Sequence, residues 1–217
     1  MIKEKNLVEN INAYLVTNKN LFANEIRMGI GIPDVMICLS QSTDSLFFDD
    51  YYYLKLISLL NDYSSHSLDS IYEKMNIPKR KINNIIDDLC SKDFLVRIDD
   101  NFVLKRKIDL INQGINVSIE VKIKDWKNGL IQAQRYLSFS DYSYLAIMDK
   151  YLDNVNLQEA QELGIGIISI DSDSISEICK PKRSNKCNSL FKNISLSFLQ
   201  EQNDSTINNS FFSLCVK

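Results

Sequence analysis

The chain is short of the residues on which much enzyme chemistry depends: one histidine, five cysteines, three prolines and six glycines in 217 residues. With His66 as the single imidazole, Ser-His-Asp and Cys-His nucleophiles and histidine-based metal sites have almost no material. Five cysteines is an odd number, and none stand in C-x-x-C pairs, so neither a disulfide framework nor a zinc site is expected. No apolar run approaches the roughly 20 residues that cross a bilayer. Met1-Ile2-Lys3-Glu4-Lys5-Asn6 lacks the apolar stretch of a signal peptide, so a cytoplasmic location is expected. There is no excess of positive charge either: 25 Lys+Arg stand against 28 Asp+Glu, which argues against a polycation that coats nucleic acid. The remaining chemistry runs on carboxylates, lysines and hydroxyls. At 45% apolar and 24% charged, the composition is that of a globular protein long enough for one large domain or two small ones.

Hydrophobic periodicity divides the chain into three parts. In the first, Leu7, Val8, Ile11, Tyr14 and Leu15 recur at helical spacing, predicting an amphipathic helix over 5–17. Residues 21–28 read as a strand with Phe22, Ile26 and Met28 on one face and Glu25 and Arg27 on the other. Gly29-Ile30-Gly31 marks a turn, and a second strand over 32–39 opens with Pro33-Asp34. In the second part, a helical stripe over 52–60 is followed by a short helix from Ser67, a turn at Asn76-Ile77-Pro78 and a helix over 79–92. A hairpin follows, 94–98 and 102–104 about Asp99-Asp100-Asn101. That order describes a winged helix-turn-helix. In the third part, Val117, Ile119, Val121 and Ile123 alternate with outward Ser118, Glu120, Lys122 and Lys124. A helix over 127–139, a strand over 142–148, a helix over 157–163 and a buried strand over 165–170 complete an α/β pattern. From 172 to 217 the sequence is Ser- and Asn-rich, and 191–198 and 211–216 fit either strand or helix. The expected organisation is one mixed α/β domain, residues 1–43 and 108–217, interrupted by a helical insertion at 44–107.

Two features flank the insertion. Asp34 opens the second strand, and Glu120-Val121-Lys122 lies on the third. Residues two apart on a strand share a face, so Glu120 and Lys122 project together. If the strand beginning at Asp34 pairs beside them, two carboxylates and a lysine converge. Such a set suits hard divalent cations, which take oxygen ligands and keep several waters. A metal there lowers the pKa of water and offsets phosphate charge, with Lys122 orienting or deprotonating a nucleophile. The plainer reading is an exposed face of an edge strand.

The order helix, strand, strand with Asp, strand with E-x-K, helix, strand resembles the core of the PD-(D/E)XK nuclease superfamily, the restriction-endonuclease-like αβββαβ fold with a central mixed sheet. Pro33-Asp34 and Glu120-x-Lys122 match its short motif, and Gln132-x-x-x-Tyr136 resembles a helix motif of its exonuclease-like branches. The resemblance covers residues 5–39 and 116–170. It implies that Asp34 and Glu120 bind Mg2+ or Mn2+, that the Val121 carbonyl adds a ligand, and that Lys122 is the catalytic lysine. It also implies a further acid from the first helix or the strand after it, for which Glu9 and Glu25 compete, with Glu25 favoured. Gln132 is expected to touch the substrate backbone or order the site, Tyr136 to pack in the core, and Trp126 to cap it.

The insertion supplies a separate basis for nucleic-acid binding. Lys79, Arg80, Lys81, Asn83 and Asn84 open the second helix of the helix-turn-helix, the position that faces a major groove. Lys105-Arg106-Lys107 adds charge beyond the hairpin. Between 79 and 107, eight Lys/Arg stand against five Asp, so this stretch of the insertion is locally basic in an acidic chain. Dimerisation, or packing on the nuclease core, is the alternative use. Lesser expectations are a surface-turn His66, core Cys38 and Cys90, and a solvated or phosphate-contacting loop at Lys180–Lys186 between Cys179 and Cys187. Gly164-x-Gly166 has no helix behind it and is no dinucleotide fingerprint.

Three functions are therefore carried forward. The first is metal-dependent hydrolysis of DNA, duplex or branched, with the winged helix positioning nucleic acid. The second is a non-catalytic DNA-binding regulator or assembly factor on a nuclease-like fold. The third is a protein-interaction or inhibitor module. A homodimer is compatible with each, and a membrane partner with none.

Overall fold

A computed structural model describes residues 3–28, 30–40, 51–60, 64–105, 114–172, 174–188, 191–192, 195 and 210–215. In chain order the elements are α1 (Glu4–Thr17), β1 (Leu21–Asn24), β2 (Val35–Ser40), α2 (Tyr51–Leu60), β3 (His66–Ser67), α3 (Leu68–Met75), α4 (Lys79–Ser91), β4 (Leu95–Ile98) and β5 (Asn101–Leu104). There follow β6 (Gly114–Lys122), α5 (Trp126–Tyr136), β7 (Tyr142–Met148), a 3-10 turn (Asp149–Asn154), α6 (Leu157–Leu163), β8 (Gly166–Ile170), β9 (Ile175–Cys179), β10 (Ser210–Phe211) and β11 (Leu214–Cys215). The chain forms two compact units, Met1–Asp44 with Gln113–Lys217, and Ser45–Asn112.

The first unit is an α/β body around a six-stranded mixed sheet, ordered β1-β2-β6-β7-β8-β9. β1, β2 and β6 pair antiparallel, β6, β7 and β8 parallel, and β9 closes the far edge antiparallel. On one face, Leu7, Ile11 and Leu15 of α1 cover Val35, Ile37, Val117, Ile119, Val121 and Ala146. Each such side chain contributes roughly 1.5–3 kcal/mol on leaving water, so α1 is held by packing rather than by its own propensity. On the opposite face, Leu130, Ala133 and Leu137 pack on Leu145, Ile147 and Ile167, and Tyr136 and Phe139 reach Met36 and Cys38. Trp126 is half-buried against the Leu130 cluster, as a cap over it.

With both faces covered, the polar set of β6 lies indoors: Asn116, Ser118 and Glu120 are buried, not solvated as alternation alone predicts. The backbone N–H of Asn116 donates to Asp141 Oδ2 at 3.0 Å, and its amide donates to the Lys192 carbonyl at 3.1 Å. The Ser118 and Ser140 hydroxyls bond each other.

The second unit holds a three-stranded antiparallel sheet, ordered β3-β5-β4, beside three helices. Ile71 and Met75, Ile82, Ile85, Ile86 and Leu89, and Leu95, Phe102 and Leu104 are all buried. Ser67 caps α3 by accepting from the Ser70 N–H at 3.3 Å. Asn76 ends α3 in the left-handed region, φ 50°, where the Lys55 ammonium also reaches the Met75 carbonyl at 2.9 Å.

Several expectations need correction. The strand expected over 21–28 stops at Asn24, because Glu25 turns the chain with φ 53°. Leu21 and Ala23 are buried on the α5 side of the sheet, and Phe22, half-buried, packs on the α1 side. The second strand starts at Val35 rather than Ile32, and β6 spans Gly114–Lys122 rather than 117–124. His66 is no surface residue: it is buried, pairs with Phe102, and its Nε2 lies 2.9 Å from the Ser64 hydroxyl. Cys38 is core as expected, while Cys90 is only half-buried. β9, β10 and β11 emerge from the Ser- and Asn-rich tail. Much of 191–198, together with Arg106 and Lys107, lies outside the described residues. No described helix is long and apolar enough to cross a membrane.

Candidate active site

The antiparallel register of β2 on β6 pairs Val35 with Ile119. Both face α1, so one residue further along the ladder Asp34 stands opposite Glu120, toward α5. The Asp34 carboxylate takes over where the strand ends, accepting the Val121 N–H on Oδ2 at 2.7 Å. Its own carbonyl accepts from the Asn24 amide at 2.9 Å, and Asn24 in turn bonds Asn12 of α1 at 3.0 Å. The turn between β1 and β2 is thereby tied to α1, and Asp34 is held from both sides.

Glu120 is 2% exposed and receives two donors. The Lys122 ammonium donates to Oε1 and the Tyr136 hydroxyl to Oε2, each at 2.5 Å. The same hydroxyl lies 3.0 Å from the Ile32 carbonyl, just before Asp34. Burial pushes the Asp34 carboxyl up, and the neighbouring Glu120 charge pushes it further, to about 6, against the opposing pull of the Val121 N–H and Lys122. Burial by itself favours the neutral amine of Lys122. The hydrogen bond and charge of Glu120, with Glu4 and Asp34, outweigh it and hold the ammonium above its ordinary range. The Tyr136 phenol is raised by burial first and then by Glu120.

Tyr136 thus packs against Phe139, as expected, and also grips a carboxylate of the cluster. Gly31 makes room for it: a Cβ there would meet the ring at 2.6 Å. Gln132 lies one turn earlier on α5, half-buried. Neither expected further acid joins the cluster by its side chain. Glu25 is exposed at the left-handed turn and reaches Asp34 through its backbone N–H, 3.4 Å from the carbonyl. Glu9 is exposed and faces Lys5 at 4.0 Å. The carboxylate that reaches in is Glu4, in the first turn of α1, with Oε2 3.9 Å from Lys122 Nζ. A lone charge at a helix start carries no periodic signal, and nothing in the sequence singles Glu4 out.

Among the described residues no three His, Cys, Asp or Glu side chains gather as a ready-made metal cage. Asp34 and Glu120 form a two-carboxylate oxygen set with a backbone edge beside it. This is the donor chemistry of Mg2+ or Mn2+, which keep most of their waters. A carboxyl raised by a like-charged neighbour is one that a cation relieves, so the residues fit such an ion. Thiolate chemistry is disfavoured at Cys38 and Cys187, since burial pushes the Cys38 thiol up to about 12 and the Cys187 thiol up to about 11.

In the second unit, Lys79, Arg80, Lys81, Asn83 and Asn84 all lie exposed on the first turns of α4. The Lys79 ammonium sits 4.6 Å from the Tyr72 ring centroid and that of Lys81 3.7 Å from the Tyr52 ring. Asn83 accepts the Tyr72 hydroxyl at 2.7 Å, which fixes its amide. Lys105 pairs with Asp93 at 2.5 Å. In the first unit, part of the loop at Lys180–Lys186 is structural: the Arg183 guanidinium and the Lys192 ammonium bond Asp141 at 3.0 and 2.6 Å.

No protein-family model matches the chain, and no curated protein matches it in sequence.

Proposed function

We propose that the chain is a divalent-metal-dependent phosphodiesterase acting on DNA, a nuclease core of PD-(D/E)XK type carrying an inserted winged helix-turn-helix. The observation that carries this reading is the convergence of Asp34, Glu120 and Lys122 at one end of the β2–β6 pair. The order α1, β1, β2, β6, α5, β7 agrees with the αβββαβ core of that superfamily. Three helices and a β3-β5-β4 sheet agree with a winged helix.

Asp34 and Glu120 would hold Mg2+ or Mn2+, with the Val121 carbonyl as a further oxygen donor. When bound, the ion supplies charge neutralisation at a phosphate and a more acidic water. Lys122, held as an ammonium, acts as a donor that orients the nucleophile or the phosphate rather than as a base. Tyr136 fixes the Glu120 carboxylate, and Glu4 keeps Lys122 charged from the far side. Exposed Lys79, Arg80 and Lys81 supply phosphate contacts, and Asn83 and Asn84 base contacts, at the head of α4.

Purified Lys122→Ala and Asp34→Ala variants are expected to lose at least about 100-fold in Mg2+-dependent nicking of plasmid DNA. Their gel-shift affinity for duplex should stay within about twofold, since neither residue supplies the basic surface. Unchanged cleavage in both variants overturns the mechanism. The second reading, a non-catalytic DNA-binding regulator or assembly factor, is favoured by one observation: Lys122 and Tyr136 already occupy both oxygens of Glu120. It predicts no cleavage with any divalent ion, and loss of binding when Lys79, Arg80 and Lys81 are replaced together by Ala.

A further inference from the structure

The end of the sheet that carries the candidate active site also carries a hollow of about 450 Å3. Ile123 and Met148, at the carboxyl ends of β6 and β7, supply apolar wall, and Glu4, Lys124, Asp125, Lys150 and Tyr151 line the rest. β6 and β7 run parallel, and open α/β sheets bind ligands outside the carboxyl ends of parallel strands. Glu4 links the two places: it lines the hollow and reaches within 3.9 Å of Lys122 Nζ. A ligand in the hollow is therefore one side chain away from the candidate catalytic lysine.

The lining has a definite chemistry. Lys124 and Lys150 are exposed ammonium groups, and Tyr151 is a half-buried ring. Lys150 Nζ lies 5.7 Å from the Tyr151 centroid, so cation and ring stand together in the lining. The carboxylates of Glu4 and Asp125 reach the Lys122 ammonium, at 3.9 Å, and the Asn128 amide, at 2.7 Å, so apolar wall, aromatic face and the two cations together match a base joined to a phosphate. The volume falls at the small-ligand end of the usual range, about 300–1,000 Å3.

We propose that this hollow is the subsite for one unstacked nucleotide of a DNA single strand or frayed end, lying next to the phosphate that is cut. The base rests on Tyr151 over Met148 and Ile123, and its phosphate meets Lys124 and Lys150. A base inside a duplex has both faces covered by its neighbours, so only an unstacked one can use the ring. The inference rests on the nuclease reading above and deepens it by naming the form of the substrate.

Trp126, the single tryptophan, follows Asp125 at the edge of the hollow and provides an intrinsic fluorescence probe. The full chain, without metal, is titrated with thymidine 5′-monophosphate, with thymidine and with inorganic phosphate. The monophosphate is expected to bind saturably. Tyr151→Ala should weaken it about 10-fold while leaving inorganic phosphate unchanged, and Tyr151→Phe should restore it. Replacing Lys124 and Lys150 together by Ser should weaken both the nucleotide and inorganic phosphate. With Mg2+, Tyr151→Ala should raise KM for a single-stranded oligonucleotide by the same factor and leave kcat unchanged. No saturable nucleotide binding, or binding indifferent to Tyr151, overturns the subsite. Tyr151-dependent nucleotide binding without cleavage by the native chain overturns the nuclease reading alone. Lys122-dependent cleavage with no effect of Tyr151→Ala on nucleotide affinity or KM overturns the subsite alone.

Discussion

Asp34 is held at a cost. Its carboxyl sits at about 6 in the folded chain against 3.8 ordinarily, because burial and Glu120 both disfavour its charge. The sign follows from proton counting: between those values the folded chain binds more protons than the unfolded one, so Asp34 lowers stability as pH rises through that window. The full shift amounts to roughly 3 kcal/mol, and to about 2 kcal/mol once solvent screening at this partly open site is allowed for. Without divalent metal, Asp34→Asn is therefore expected to be more stable than the native chain at pH 7.5 by about 1–2 kcal/mol. The two should converge below pH 4, as read by urea denaturation at several pH values. A constant difference across that range would show that Asp34 does not titrate as stated. Tyr136→Phe removes one of the two donors to Glu120, and leaving that buried carboxylate short costs about 1–3 kcal/mol. On the nuclease reading it should also lower Mg2+-dependent cleavage with the same substrate KM. Asp34, Glu120 and Lys122 could be found from residue type and strand spacing. Glu4 could not, because its reach to Lys122 comes from where α1 lies on the sheet.

At the scale of the elements, legibility tracked burial pattern. Val117, Ile119 and Val121 alternate, Ile82, Ile85, Ile86 and Leu89 follow a helical stripe, and both segments form the expected structures. The readings failed where something other than periodicity decides. β1 ends because Glu25 takes a left-handed turn that a Glu rarely marks, and β9 is an edge strand whose exposed Ser176 and Ile178 give no contrast. His66 is buried only because β3 adds to the hairpin of β4 and β5. The tail that resisted reading is secured by charge as well as by apolar pattern. Asp141, buried at the head of β7, takes the Lys192 ammonium at 2.6 Å, the Arg183 guanidinium at 3.0 Å and the Asn116 N–H at 3.0 Å. Lys192 is itself buried, so Asp141→Ala strands a cation and is expected to destabilise the first unit by about 3–5 kcal/mol. Arg183→Ala, whose guanidinium is mostly exposed, should cost under about 1 kcal/mol. Equal losses in the two variants by chemical denaturation would place the weight on the loop rather than on the buried pair.

At the scale of the whole chain, the insertion has a simple topological origin. Ser40, the last residue of β2, pairs directly with Gly114, the first of β6. The two strands are a β-hairpin, and the second unit occupies what would be its turn. A hairpin turn is a place where the two chain ends already lie side by side, so an inserted unit need not disturb the register beyond it. That register is what brings Asp34 opposite Glu120, at the other end of the strands from the Ser40–Gly114 pair. Charge does not follow the same division: residues 45–112 carry 10 Lys/Arg against 11 Asp/Glu, and the basic feature is the head of α4, where Lys79, Arg80 and Lys81 stand exposed. Joining Ser40 to Gly114 through Asn-Gly, the pair favoured by two-residue hairpin turns, should therefore yield a folded first unit. On the nuclease reading this shortened chain keeps Mg2+-dependent cleavage of single-stranded DNA within about 10-fold, since the candidate site is built without the insertion. Its affinity for duplex should fall by about 10-fold or more at low salt, and the salt dependence of the remaining binding should flatten as phosphate contacts are lost. Folding is checked by the cooperativity of thermal unfolding, and affinity by gel shift across a salt series. A shortened chain that folds and binds duplex as tightly as the full one would assign the basic head of α4 to a protein partner instead.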